Sequence, residues 1–144
     1  IYFKKALKLD RMNPKILYRM ATIEYQKDNY KMAQFYAMQS IMYSKPDLDK
    51  EYMLLGIMAK DELDFKRAVK YFDEAVKNNR DNVDALFQLA FSSDYYYEDK
   101  KIALKHYEKF IERFESKSPN LTKYASDRIR QIRKQYFIEG EIVD

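Results

Sequence analysis

The chain has 144 residues, with 27 lysines and arginines against 23 aspartates and glutamates, which gives a formal net charge of +4. This length suffices for one domain, and two glycines and three prolines provide too little turn chemistry for an all-β fold. Without cysteine the chain forms no disulfide and no thiolate site, and its modest positive charge favours acidic partners only weakly.

Apolar residues recur at helical spacing along the whole chain. Residues 1–13 predict one helix, and residues 14–48, 49–82 and 83–117 each predict a pair of helices joined by a short turn. Neither helix of such a pair can bury its apolar stripe alone. We therefore expect each pair to pack against the next, as in an array of repeated units.

A longer single helix is predicted over residues 118–138. Ser118 is a candidate N-cap, and Pro119 follows at the first helical position, where its missing N–H removes no hydrogen bond. The polar face of this helix carries a candidate basic patch, formed by Arg128, Arg130, Arg133 and Lys134. Residues 139–144 follow as a short acidic tail.

Small residues recur through the chain with a nearly constant period. The two clearest series are Ala21, Gly56 and Ala90, and Ala33, Ala68 and Ala103. Their members are 34 or 35 residues apart. Small side chains are needed where helix backbones approach closely, so the period predicts the same helix contact in each copy. A period of this size is typical of helical solenoids, which present a long curved surface rather than a catalytic pocket.

Residues 49–82 show the repeated unit most clearly. Its diagnostic residues are Tyr52, Leu55, Gly56, Ala68 and Phe72. This order resembles the tetratricopeptide repeat, a helix-turn-helix of about 34 residues with an aromatic residue, a Leu-Gly pair and a later Ala-x3-Phe. Two other copies depart from the pattern: Ala37 replaces a large aromatic residue, and one residue is inserted near Tyr95.

The resemblance implies an all-α fold, namely a right-handed superhelical solenoid of antiparallel helix hairpins in a single domain. It implies about three full repeats, a leading half repeat in residues 1–13 and a capping helix in residues 118–138. Because the chain starts inside the pattern of a repeat, we expect it to be a fragment of a longer, bacterial-type protein of this family.

In this family the first helix of each hairpin lines a concave groove that binds a peptide or a helix of another protein. Carried over to this sequence, the groove residues are Lys15, Tyr18, Arg19, Thr22, Lys50, Met53, Leu54, Ile57, Phe87, Gln88, Phe91 and Tyr95. Each lies off the stripe that packs its own helix, so this second apolar face is either covered or binds a partner. Methionine and aromatic side chains suit an apolar segment.

The groove differs from the subtype of this family that grips the acidic C-terminus of chaperones. That subtype uses a clamp of Lys, Asn and Arg side chains, whereas this chain has Tyr18, Leu54 and Gln88 at corresponding places. Three other occupants of the groove stay open: preceding repeats, the capping helix of the chain itself, and a second copy of the protein.

The sequence contains no pattern that predicts catalysis. It has no phosphate-binding glycine loop, no G-x-S-x-G and no H-E-x-x-H, and the single histidine, His106, has no cysteine to join it in a zinc site. We therefore predict a non-enzymatic protein-interaction module or assembly scaffold without cofactor or metal.

Two other functions stay open. One is nucleic-acid binding through the basic patch, which we expect less because acidic residues nearly balance the basic ones. The other is an accessory repeat domain of a larger enzyme or envelope protein. No apolar run reaches the roughly 18 residues of a membrane span, so we expect no membrane insertion of this segment. The sequence assigns no compartment.

Overall fold

In a computed structural model of the chain, the described residues, 13–43 and 48–140, form seven α-helices and no strand. The helices are α1 (Pro14–Gln26), α2 (Tyr30–Tyr43), α3 (Asp49–Asp61), α4 (Phe65–Asn78), α5 (Val83–Tyr96), α6 (Lys100–Phe114) and α7 (Pro119–Ile138). The all-helical class predicted from the sequence is confirmed for these residues. The leading half repeat lies outside them except for Asn13, and so do residues 141–144 of the acidic tail.

Polar side chains at the predicted turns begin most of the helices. Asn13 Oδ1 accepts a hydrogen bond from the backbone N–H of Lys15 at 3.0 Å, just before the proline that starts α1. The same kind of cap begins α4, α5 and α6, from Asp64, Asn82 and Asp99. Each cap satisfies a backbone donor that the first turn of a helix leaves unpaired.

The start of α7 differs in detail from the prediction. Ser118 occupies the N-cap position and Pro119 begins the helix, but the Ser118 side chain makes no capping hydrogen bond. Thr122 instead donates its hydroxyl hydrogen to the carbonyl of Glu115 at 3.1 Å, which fixes α7 to the turn before it.

Two helix turns have the same backbone geometry. Asp28 and Leu63, which are 35 residues apart, both have a left-handed conformation, with φ of 60° and 61°. The α5–α6 turn is different, since Tyr97 there is extended with φ −89° and ψ 134°. Helix α5 has 14 residues where α1 and α3 have 13. The residue inserted near Tyr95 therefore lengthens α5 and changes the turn that follows it.

Consecutive helices pack against each other from α1 to α7, and α1 also contacts α3 as α3 contacts α5. Gly56 of α3 shows why small residues recur at these contacts. A Cβ atom there would lie 2.6–2.9 Å from three ring carbons of Phe72. In the preceding hairpin, Ala37 takes the place of the aromatic ring, which leaves room for the methyl group of Ala21; both alanines are fully buried.

Helix α7 continues the same series. Ala125 follows Ala90 by 35 residues and is fully buried, as Ala21 and Ala90 are. Ile129 and Ile132 are buried beside it, in one cluster with Phe87 and Phe110. The period therefore extends into α7, beyond the residues over which the sequence pattern placed it.

Candidate functional site

The structure divides the twelve predicted groove residues into two groups. Five lie together around a cavity of about 690 Å³ between α1 and α3: Lys15, Tyr18, Arg19, Thr22 and Lys50. We call this cavity the α1/α3 cleft. The other seven predicted groove residues lie further along α3 and α5. Most of their side chains are buried or half-buried by contacts within the chain.

In the aromatic part of the predicted groove, side chains of α6 and α7 cover Phe87. Phe87 is only 7% exposed, and its ring centroid lies 5.6 Å from that of Phe110 and 5.6 Å from that of Tyr124. Tyr124, on α7, also lies 5.9 Å from Phe91. Phe87 is thus a core residue rather than part of an open face, and the Tyr124 ring of α7 helps to cover it.

The α3 part of the predicted groove is also largely used in packing. Leu54 is 8% exposed and belongs to the cluster around Ala21 and Ala33. Met53 and Ile57 are half-buried against a second cluster that includes Phe72. Helix α3 has apolar residues on most of its circumference, so helical spacing alone did not distinguish its buried from its accessible side.

Polar side chains connect the first helices to one another across this face. Tyr25 of α1 donates its hydroxyl hydrogen to Asp61 of α3 at 2.6 Å, and this hydrogen bond, together with burial, raises the pKa of Tyr25 to about 12. Lys60 Nζ of α3 donates to Gln88 Oε1 of α5 at 3.0 Å. The predicted groove residue Gln88 therefore already has a partner within the chain. Tyr95 is exposed, and its ring stacks on Phe65 with centroids 4.8 Å apart.

Asp94 joins three helices through one buried carboxylate. It accepts hydrogen bonds from Arg128 Nε at 2.7 Å and Nη2 at 2.8 Å, both from α7. The Tyr107 hydroxyl of α6 donates to it at 3.2 Å, and Lys100 Nζ lies 3.6 Å away. Burial, with the negative charge of Asp94, raises the pKa of Tyr107 well above its ordinary value. The bidentate arginine contact holds α7 on α5.

The predicted basic patch carries less free charge than the sequence indicated. Arg128 is bound to Asp94, Arg130 pairs with Asp127, and Arg133 Nη2 lies 2.6 Å from Glu108 Oε1. Lys134 is exposed. Arg128 in particular serves packing between helices and does not lie on a solvated face.

His106 lies in a different cavity, of about 790 Å³, between α4 and α6. Burial, and then the charge of Lys109, lower its pKa below the ordinary 6.5. In residues 13–43 and 48–140, His, Asp and Glu side chains form no group of three that could hold a metal ion. Within the same ranges, none of the helices is both long and apolar enough to cross a membrane.

In comparisons with known proteins, no protein-family model and no curated protein matches this chain.

The α1/α3 cleft combines a cationic rim with an aromatic wall. Lys15 and Lys50 are exposed at the rim, and Tyr18 is half-buried along the wall. Burial, and then the charge of Glu51, raise the pKa of the Tyr18 hydroxyl. A tyrosine hydroxyl is protonated at neutral pH and can donate a hydrogen bond. An acidic group could pair at the rim while an apolar side chain packs on the ring.

Three residues of the cleft were not predicted from the sequence: Ile23, Asp49 and Glu51. Asp49 is engaged, because Asn79 and Asn82 donate to its Oδ2 at 3.1 and 2.9 Å. The Oε2 atom of Glu51 is buried with no hydrogen-bond partner in the described part of the chain, and burial raises the pKa of this carboxyl. In the sequence, Ile23 follows Thr22, and Asp49 and Glu51 flank Lys50, so each is next to a predicted groove residue. The packing of α3 on α1 brings the three side chains to one cleft.

Proposed function

We propose that the chain is a tetratricopeptide-like solenoid that acts as a non-enzymatic protein-interaction module, and that it binds a segment of a partner protein in the α1/α3 cleft. The repeat assignment is supported by the buried small residues that recur every 34 or 35 residues from Ala21 to Ala125. It is also supported by the left-handed residues Asp28 and Leu63 at equivalent places in two turns.

The cleft is the observation that carries the binding proposal. It brings together five of the twelve predicted groove residues, whereas Leu54 and Phe87 are buried. Lys15 and Lys50 give the rim positive charge, and Tyr18 supplies a large, rigid contact surface. The partner segment that fits is short and extended or helical, with an acidic side chain next to an apolar one.

Nucleic-acid binding has weaker support. A phosphate backbone is held by free Lys and Arg side chains, and three of the four cations in the basic patch are already paired with carboxylates.

The test is binding of the chain to an array of synthetic peptides that pair an acidic residue with an aromatic or aliphatic one. We expect the double variant Lys15→Glu and Lys50→Glu to weaken capture by about tenfold, because it replaces attraction at the rim by repulsion. The matched control is Lys66→Glu with Lys117→Glu, which makes the same change of charge at exposed lysines outside the cleft.

If both double variants lost binding equally, the loss would be explained by net charge alone, and the proposal that the α1/α3 cleft binds the peptide would be rejected. Tyr18→Ala separates the apolar contribution, since it removes the aromatic wall and leaves the rim unchanged. Capture that survives all three variants would place the binding surface elsewhere.

A further inference from the structure

Helix α2 carries an exposed apolar stripe opposite its packing face. Its packing face is formed by Ala33, Ala37 and Ser40, all fully buried. The exposed residues, which we call the α2 stripe, are Met32 (37% exposed), Phe35 (53%), Met38 (50%), Met42 (67%) and Tyr43 (38%). The first four of these residues are spaced three or four positions from one another, and Tyr43 follows Met42 directly. This spacing places them along one side of the helix. No charged residue occurs from position 32 to position 43.

The repeat itself supplies a comparison for this face. The positions 35 residues after Met32, Phe35, Met38 and Met42, on α4, are occupied by Arg67, Lys70, Asp73 and Lys77. Positions a further 35 residues on, on α6, are occupied by Ile102, Lys105, Glu108 and Glu112. Seven of these eight residues are charged, so the outer face of the second helix is a solvated face in two hairpins and an apolar one in α2. A contiguous exposed apolar face of this kind marks an interaction surface.

We propose that the α2 stripe binds a second copy of the chain, with two α2 helices packed antiparallel across a two-fold axis. The stripe is complementary to itself, because meeting its own copy buries apolar side chains on both sides and no charge. Methionine side chains adapt their shape to such a contact.

The ends of α2 favour the antiparallel arrangement. The helix has no acidic residue in its first turn and no basic residue in its last turn, and Lys31 is exposed near its N-terminal end. In an antiparallel pair, Lys31 of each copy lies near the C-terminal carbonyls of the other, where positive charge is favourable. The two helix dipoles also oppose each other, as they do in antiparallel bundles.

The exposed area of the α2 stripe gives the size of the contact that two copies could form. Side chains of this size present on the order of 200 Å² each when free, so the exposed fractions of the five residues amount to roughly 500 Å² per copy. Two copies would bury about 1,000 Å², at the lower limit for a specific interface. We therefore expect a dimer that dissociates on dilution, with a Kd on the order of micromolar.

The first experiment is sedimentation velocity of the full chain over a dilution series. The wild-type chain should shift from dimer to monomer as its concentration falls. The double variant Phe35→Lys and Met38→Asp should be monomeric throughout, because it places on α2 the residues that α4 carries at the same positions, Lys70 and Asp73. Its circular dichroism should be unchanged, since both replaced side chains are at least half exposed.

The matched control is Phe137→Lys, which removes an aromatic residue that is 80% exposed but lies on α7, outside the stripe. This variant should dimerise as the wild type does. A wild-type chain that stays monomeric at every concentration, or a dimer that survives the double variant, overturns the proposal.

A second experiment identifies the occupant. The chain has no cysteine, so Met38→Cys introduces a single thiol near the centre of the stripe, next to the proposed two-fold axis. A short bismaleimide should join two such chains in high yield, whereas Phe137→Cys should give little product. Equal yields from the two variants would show random collision and reject the two-fold contact.

Discussion

At the scale of single residues, the packing of each hairpin depends on the size of the side chains where its two helices meet. Gly56 faces the ring of Phe72 with no room for a methyl group. In the hairpin before it, Ala21 faces a smaller neighbour, because Ala37 replaces the aromatic residue. In these two hairpins a smaller residue on one helix therefore accompanies a larger one on the other, whereas the third hairpin combines Ala90 with the aromatic Tyr107.

This pairing predicts the effect of Gly56→Ala. Alanine would gain up to about 1 kcal/mol in helix propensity, but its methyl group would overlap the Phe72 ring, and overpacking of a rigid core costs about 1–3 kcal/mol. We expect a net destabilisation of about 1 kcal/mol, measured by urea denaturation. In Phe72→Leu, which frees that space, the same substitution should become neutral or stabilising; an equal cost in both backgrounds would contradict the steric explanation.

At the scale of the helices, the position of α7 depends on a buried ion pair together with an aromatic contact. Asp94 is almost fully buried and receives two hydrogen bonds from Arg128. A buried carboxylate that loses its cation keeps the cost of its desolvation without compensation. The contact therefore holds α7 strongly only while both partners are present.

Replacing Arg128 by methionine should destabilise the chain by about 2 kcal/mol, because Asp94 would keep only the contacts of Tyr107 and Lys100. The matched control is Arg130→Met, two residues along the same helix, whose pair with Asp127 is exposed and should contribute almost nothing. Thermal melts of the two variants test this. Similar melting temperatures would show that the Asp94 contact is no stronger than a surface pair.

At the scale of the whole molecule, the sequence predicted the helices well and their exposure poorly. The period and the turn residues placed all seven described helices in the segments where the structure has them, because both signals are local. The groove residues were harder, since whether Leu54 and Phe87 are open depends on what packs on them. For Phe87 that element is α7, whose Tyr124 is 37 residues away, and a pattern within one repeat contains no information about it.

Because α7 covers the aromatic cluster, we predict the effect of shortening the chain to residues 1–117, which removes α7. Without α7, the aromatic cluster around Phe87, Tyr107 and Phe110 would lose the cover of Tyr124 and two buried isoleucines. Burial of each isoleucine contributes about 1.5–3 kcal/mol, which is a large share of the 5–15 kcal/mol that stabilises a typical domain. The shortened chain should therefore lose cooperative unfolding in urea and bind a fluorescent dye for exposed apolar surface.

Adding the α7 peptide, residues 118–140, in excess should restore cooperative unfolding, since it returns the missing cover to the same face. The peptide with Tyr124→Ala and Arg128→Ala serves as the control, because it lacks both contacts to α5 and should not restore it. A shortened chain that unfolds as sharply as the full chain would mean that α7 does not cover the core. In that case the groove of α5 would be open to a partner after all.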